Sequence, residues 1–182
     1  MRDRGFTLIE VLIALALLAA ATLSVAQLIV ATTRAVQTGR IQTAAVTLAA
    51  ARMEELHSLT WALDAAGNSV TDSSTNLASE PPGTGGTGLA PSPPGALDHN
   101  TSGFVDFLDG NGRWLSAGPA APPGAIFVRR WAIEPTVDAS PDTLAIQVVV
   151  RPIVEDTISG GQRPAVARIE ARLLTLRTRV AR

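Results

Sequence analysis

Between Phe6 and Ala31 the chain carries one ionisable side chain, Glu10, and neither a proline nor a glycine. Its only other polar side chains there are Thr7, Thr22, Ser24 and Gln27. A helix of roughly 26 residues rises about 39 Å, enough to cross a hydrocarbon core of about 30 Å with tilt. A helix is also the one open segment that satisfies its own backbone inside lipid. The run therefore predicts a membrane-inserted helix or a secretion signal, with one carboxylate near its start. A carboxylate in such a segment is costly and calls for a partner. A cut after Gly5 would leave a free amine on Phe6, about one helical turn from Glu10. That amine could pair with Glu10 in the same chain or in a neighbour, through a charge-assisted hydrogen bond.

The stretch Gly5-Phe6-Thr7-Leu8-Ile9-Glu10-Val11-Leu12-Ile13-Ala14-Leu15 resembles the N-terminus of type IV pilin-like proteins, a class that spans pilins, minor pilins and type II secretion pseudopilins. The resemblance implies a leader of residues 1–5 that a prepilin peptidase removes between Gly5 and Phe6. It further implies methylation of the Phe6 amine and passage of the helix from the membrane into a filament. There Glu10 would contact the Phe6 amine of a neighbouring subunit. Gly5 and Phe6 are thus expected as the processing site and Glu10 as the assembly residue, none of them catalytic. Partners implied are the peptidase, other pilin or pseudopilin subunits, an inner-membrane assembly platform and, before assembly, membrane lipid.

An ordinary signal peptide is the competing reading. Arg2 and Arg4 would be its basic region, Leu8 to Leu23 its apolar core and Ser24-Val25-Ala26 a small-x-small cleavage site. Against it stand the very short basic region and the carboxylate inside the apolar core. Arg2 and Arg4, opposed by Asp3, make the leader weakly basic. Positive-inside reasoning leaves the N-terminus cytoplasmic and the remainder periplasmic, in a single-pass inner-membrane protein that later joins a pilus or pseudopilus.

Length and charge narrow the rest. At 182 residues there is room for one globular domain beyond the membrane helix, and a net charge of −1 sets up no global attraction to nucleic acid. With no cysteine, stability must come from the core and from filament neighbours. Two histidines and no cysteine argue against structural zinc. His57 and His99 lie in no catalytic pattern, so neither enzyme nor cofactor is expected.

Residues 32–60 stay helix-forming but turn amphipathic. Val46, Ala49, Met53 and Leu56 share one face with Ala45 and Leu48 beside it, while Arg34, Arg40, Arg52 and Glu55 are expected to point away. Alanines 31, 35, 44, 45, 49, 50 and 51 either permit close helix approach or simply favour helix. His57 reads as a solvated last turn, favoured there by the helix dipole. No proline occurs before Pro81, a departure from many major pilins that leans toward a minor subunit.

Residues 61–124 are rich in turn formers, with Ser79 to Leu97 expected to be the loosest stretch and a candidate contact surface. Within it, Phe104, Val105, Phe107 and Leu108 suggest a short strand and Asp109-Gly110-Asn111-Gly112 a turn. Asp106, Asp109 and Asn111 are oxygen donors that calcium could use, but they lack the spacing and the later glutamate of a calcium loop. From residue 125 to 182 the pattern alternates as strands. Ala125 to Ile133 is stopped by Pro135, Leu144 to Val150 follows, and Ala167 to Leu173 is expected to show one polar face. The Arg129-Arg130-Trp131 strand with its Pro-Asp-Thr turn and Leu144-to-Val150 strand is similar to minor pilins of the V type. Arg168, Arg172, Arg177 and Arg179 form a basic tail that could meet DNA phosphates, although no aromatic residues are interleaved. The expected fold is α+β: one helix of about 80 Å from Phe6 to about Leu59, its second half packed on an antiparallel sheet of three to four strands. The expected role is a structural minor subunit of a type IV pilus or pilus-like filament. A minor pseudopilin, or a tip protein gripping DNA or a surface, is the alternative.

Overall fold

In a computed structural model, the structure describes residues 7–136, 142–153 and 169–181. Helix α1 runs Leu8–Ser58. The chain divides into two compact units with the boundary after Arg40, and each is taken by itself. In the first, every described residue from 7 to 40 is exposed. An alanine- and leucine-rich stretch without proline supplies the helix propensity, and one glycine, Gly39, does not interrupt it.

Among the described residues, the second unit contains the end of α1 and ten strands. These are β1 (Trp61–Leu63), β2 (Ser69–Thr71), β3 (Thr75–Asn76), β4 (Gly83–Thr84), β5 (Val105–Leu108), β6 (Trp114–Ser116), β7 (Phe127–Pro135), β8 (Thr143–Pro152), β9 (Ala171–Thr178) and β10 (Val180–Ala181). The main sheet is antiparallel with order β6-β5-β7-β8-β9. Its register sets Trp131 opposite Val148, and Val148 opposite Leu173. Five strands exceed the three to four expected. β5 pairs with β7 along Val105 to Leu108, and the Asp109 turn then folds the three residues of β6 back onto β5. So short a strand carries no readable alternation of its own.

β7 is buried on both faces, as its unbroken burial over Phe127 to Ile133 requires. One face joins Phe127, Trp131 and Ile133 to Ala45, Ala49, Met53 and Leu56 of the helix. The other joins Val128 to Val105 and Phe107 in a smaller cluster. Two helix assignments made from the sequence are corrected. Val46 is 43 % exposed, whereas Arg52 is buried to 1 %. Residues 45, 49, 52 and 56 fall on one helical face, and residue 46 lies about 100° around from Ala45. The charge of Arg52 predicts an outward side chain, yet its position is a core position.

What makes that burial tolerable is Asp106, itself fully buried in β5. Arg52 Nη2 donates to Asp106 Oδ2 at 2.5 Å, and Arg129 of β7 grips the same carboxylate with Nη2 at 2.7 Å and Nε at 3.0 Å. Arg52 Nη1 also donates to the Leu77 carbonyl at 2.6 Å and lies 2.7 Å from Glu55 Oε2. Arg129 Nη1 reaches back to the Leu48 carbonyl of the helix at 3.2 Å. Two guanidiniums therefore face two carboxylates. Burial, followed by the Arg129 charge, pushes the Arg52 pKa down, while Asp106 and Glu55 oppose the shift. The Arg52 guanidinium also lies 4.6 Å from the centre of the Trp131 ring, an added cation–π contact.

Between its strands the turn-rich region is built into the core through Leu77, Ala78, Leu89 and Ala96, among others. Asp72 closes one of its turns by accepting from Ser74 N, Thr75 N and Thr75 Oγ1. Ser92 N donates to the Ile133 carbonyl at 2.9 Å, and Ile133 N returns a bond to Ser92 Oγ at 3.1 Å. The stretch expected to be loosest is thus stitched to β7. Gly86 has a packing reason: a Cβ there would sit 2.2 Å from Asn76 Cα.

β9 is corrected as well. Its inward residues are Ala171, Leu173, Thr175 and Arg177, but its outward face holds Leu174 and Leu176, 64 % and 65 % exposed, rather than being polar throughout. Arg168, on which the polar alternation partly rested, lies outside the described residues.

Removing Asp106 strands two buried cations, so Asp106→Ala should cost about 3–5 kcal/mol in urea unfolding. Asp109→Ala, in the neighbouring turn, should cost about 1 kcal/mol. Equal losses at the two positions would contradict the ionic role assigned to Asp106.

Candidate functional site

The N-terminal end of α1 is closed by its own side chains. Thr7 is the capping residue and Glu10 stands three positions later. Thr7 N and Thr7 Oγ1 each donate to Glu10 Oε2 at 2.9 Å, and Glu10 N donates to Thr7 Oγ1 at 3.4 Å. The Thr7 carbonyl accepts from Glu10 N at 3.1 Å and Val11 N at 3.3 Å. This reciprocal arrangement is a capping box, which satisfies amide groups a helix start otherwise leaves unpaired. A carboxylate there also faces the positive end of the helix dipole. Glu10 therefore has a partner within its own chain, one the sequence reading did not assign. The signal was present: Thr-x-x-Glu immediately before an apolar run. Gly5 and Phe6, the expected processing residues, lie outside the described residues.

Beyond the box the helix is apolar on every side. Leu8, Ile9, Leu12, Leu15, Leu18, Leu23, Leu28 and Ile29 are all more than half exposed. Its hydroxyls are turned onto the backbone: Thr22 Oγ1 donates to the Ala19 carbonyl, Ser24 Oγ to Ala20, and Thr33 Oγ1 to Ile29. An apolar surface with its hydroxyls bonded to the backbone suits lipid or other helices, and α1 is long and apolar enough to cross a membrane.

The basic tail is used inside the fold. Arg177 donates to the Leu56 and Leu59 carbonyls at 3.2 and 2.8 Å, closing the C-terminal end of α1 where carbonyls lack helical partners. Arg179 lies 3.4 Å from the centre of the Trp61 ring and bonds the carbonyls of Ala62 and Val70. It also faces Asp142 at 3.2 Å. Arg172 is exposed but contacts Glu170 at 3.3 Å, and Arg168 lies outside the described residues. Among the described residues, Arg177 and Arg179 fix the helix end and strand β1. His57 is exposed in the last helical turn.

The three oxygen donors near residue 106 are also separated in role. Asp106 faces Arg52 and Arg129, whereas Asp109 Oδ1 accepts from Asn111 N and Arg113 N at 2.8 and 2.9 Å to close the turn. Among the described residues no three acidic or histidine side chains cluster as a metal site. Glu170 forms a further ionic grouping with Arg151 and Arg172. Burial works to raise the Glu170 pKa, but the hydrogen bond and charge of Arg151, with Arg172 behind them, hold it below the usual value. The Glu170 contribution to stability is therefore full at neutral pH and fades as pH falls through that lowered value.

Compared with known families, residues 1–26 match the model for the prokaryotic N-terminal methylation motif, the type IV pilin-like prepilin signal. Neither curated proteins nor solved structures give a match.

Thr7→Val should remove the cap at a cost of about 0.5–2 kcal/mol to the first turn, whereas Thr7→Ser should preserve it. Amide exchange at residues 8–11 in micelles reads the difference; unchanged protection in Thr7→Val would contradict the capping box.

Proposed function

We propose that this chain, bearer of the type IV pilin-like prepilin signal, is a structural minor subunit of a type IV pilus or a related filament. The signal supports a pilin or pseudopilin precursor, and the family of that motif consists of structural subunits rather than enzymes. The observation that carries the reading is the match over residues 1–26 together with the capping box that holds the Glu10 carboxylate at the helix tip. In this reading a prepilin peptidase cuts between Gly5 and Phe6 and methylates the new amine. The amine would then lie one residue before Thr7, whose amide already donates to Glu10. A cationic amine from a neighbouring subunit could contact the same carboxylate, since among the described residues Oε1 accepts no hydrogen bond. Before assembly the apolar half of α1 anchors the subunit in the inner membrane, with Arg2 and Arg4 on the cytoplasmic side. The second unit then stands in the periplasm and afterwards on the filament.

Terminal sequencing and mass analysis of the chain produced with its peptidase should find N-methylated Phe6 as first residue. Gly5→Leu should retain the leader. Glu10→Ala should leave the chain cleaved and membrane-held but absent from sheared filaments. A mature chain beginning at Gln27 would overturn the reading in favour of an ordinary signal peptide.

A further inference from the structure

The main sheet ends on a strand whose far edge is open. Arg179 N donates to the Asp142 carbonyl at 2.9 Å, in the register that sets Thr178 opposite Thr143. Bonded residues alternate in an antiparallel pair, so Leu173, Thr175 and Arg177 also turn their amides and carbonyls toward β8. Arg172, Leu174, Leu176 and Thr178 turn theirs the other way. β9 is last in the sheet order, and among the described residues no group bonds the main chain of these four. Just before them, the Glu170 carbonyl is met by Gln42 Nε2 of α1 at 3.3 Å, and that cover goes no further. Proteins blunt such edges with a proline, a bulge or a very short strand. β9 has eight residues, no proline and an unbroken register with β8.

The chemistry of the edge selects its occupant. Amides and carbonyls that recur about 6.8 Å apart along a strand match another extended backbone. The side chains at the same four positions lie on the outward face, where Leu174 and Leu176 are exposed and a neighbouring strand would cover them. Val46, one turn past Gln42 on α1 and also exposed, borders the edge from the helix side. β9 carries Arg172 and Arg177 and no acidic residue. A second copy of β9 would bring the same two cations, whereas a strand with carboxylates would offset them. We propose that the free edge of β9 takes an extended segment of a different polypeptide as a further antiparallel strand of the main sheet. That segment has apolar residues at alternate positions, opposite Leu174 and Leu176, and acidic residues at its ends. The strand addition does not depend on where the chain is cleaved or how it is anchored.

The probe is the synthetic peptide acetyl-Glu-Val-Thr-Val-Thr-Val-Glu-amide, added to the full chain in micelles. Amide exchange at Arg172, Leu174, Leu176 and Thr178 should be fast in the chain alone and should slow about tenfold or more with peptide, while Leu173, Thr175 and Arg177 keep their rates. Valines opposite the leucines in an antiparallel pair aim their amides at β9. N-methylation of the peptide valines should therefore abolish the slowing, and N-methylation of its threonines should preserve it. Leu176→Pro removes an edge-facing N–H without breaking a bond to β8, so it should also abolish the slowing at Leu174, whereas Leu176→Thr should not. Should Leu176→Pro fail to fold, the two methylated peptides decide the matter with the native chain. Slow exchange at the four amides without peptide, equal effects of the two methylated peptides, or no slowing at millimolar peptide would overturn the strand addition. Protection that grows with the concentration of the chain alone would give the edge to a second copy and overturn the choice of partner.

Discussion

A single carboxylate, Asp106, holds two guanidiniums that reach it from different elements, and through them it ties the helix to the sheet. Arg52 comes from α1 and Arg129 from β7, and each also donates to a carbonyl of a third or opposing segment. None of these charges could be buried alone, because the desolvation penalty of an unpaired ion exceeds what surrounding apolar contacts return. Pairing with Asp106 removes that obstacle. Trp131 can then pack fully buried beneath Arg52, and the alanines at 45 and 49 can close on the sheet. The ionic group also fixes direction as well as proximity. The Arg129 fork meets the carboxylate with two parallel bonds, which a sliding apolar contact would not demand.

The chain ends reinforce the same join. Arg177 and Arg179 lie in and just after the last strand of the main sheet, and they close the C-terminal carbonyls of α1 and the aromatic face of Trp61. β10 then pairs in parallel with β1, so the segment that leaves the helix is held by the segment that ends the chain. Arginine suits both tasks because its planar fork can bond carbonyls while its face lies on a ring. Two arginines of the basic tail, Arg177 and Arg179, thus have internal roles.

The helix solves two different solvation problems along one axis. Its first part is predominantly apolar on its exposed surface, with several hydroxyls and the Glu10 carboxylate bonded locally. From Ile41 onward burial is one-sided and follows the helical period. The match to the prepilin signal, over residues 1–26, falls within the first of these parts.

The sequence alone determined the helix, its apolar character, the turn at Asp109, the paired core strands and the prepilin signal. Each of these is written in residues close together in the chain, through periodicity, turn chemistry or a contiguous motif. The capping box was equally local and could have been read from Thr7 and Glu10. The placement of Arg52, Arg177 and Arg179 belonged to the tertiary structure. Their charges pointed outward by composition, and only partners 54 positions or more than 100 positions away turned them inward. The exposure of Leu174 and Leu176 was decided at the same level, since a strand's alternation names two faces but its neighbours choose which one is covered.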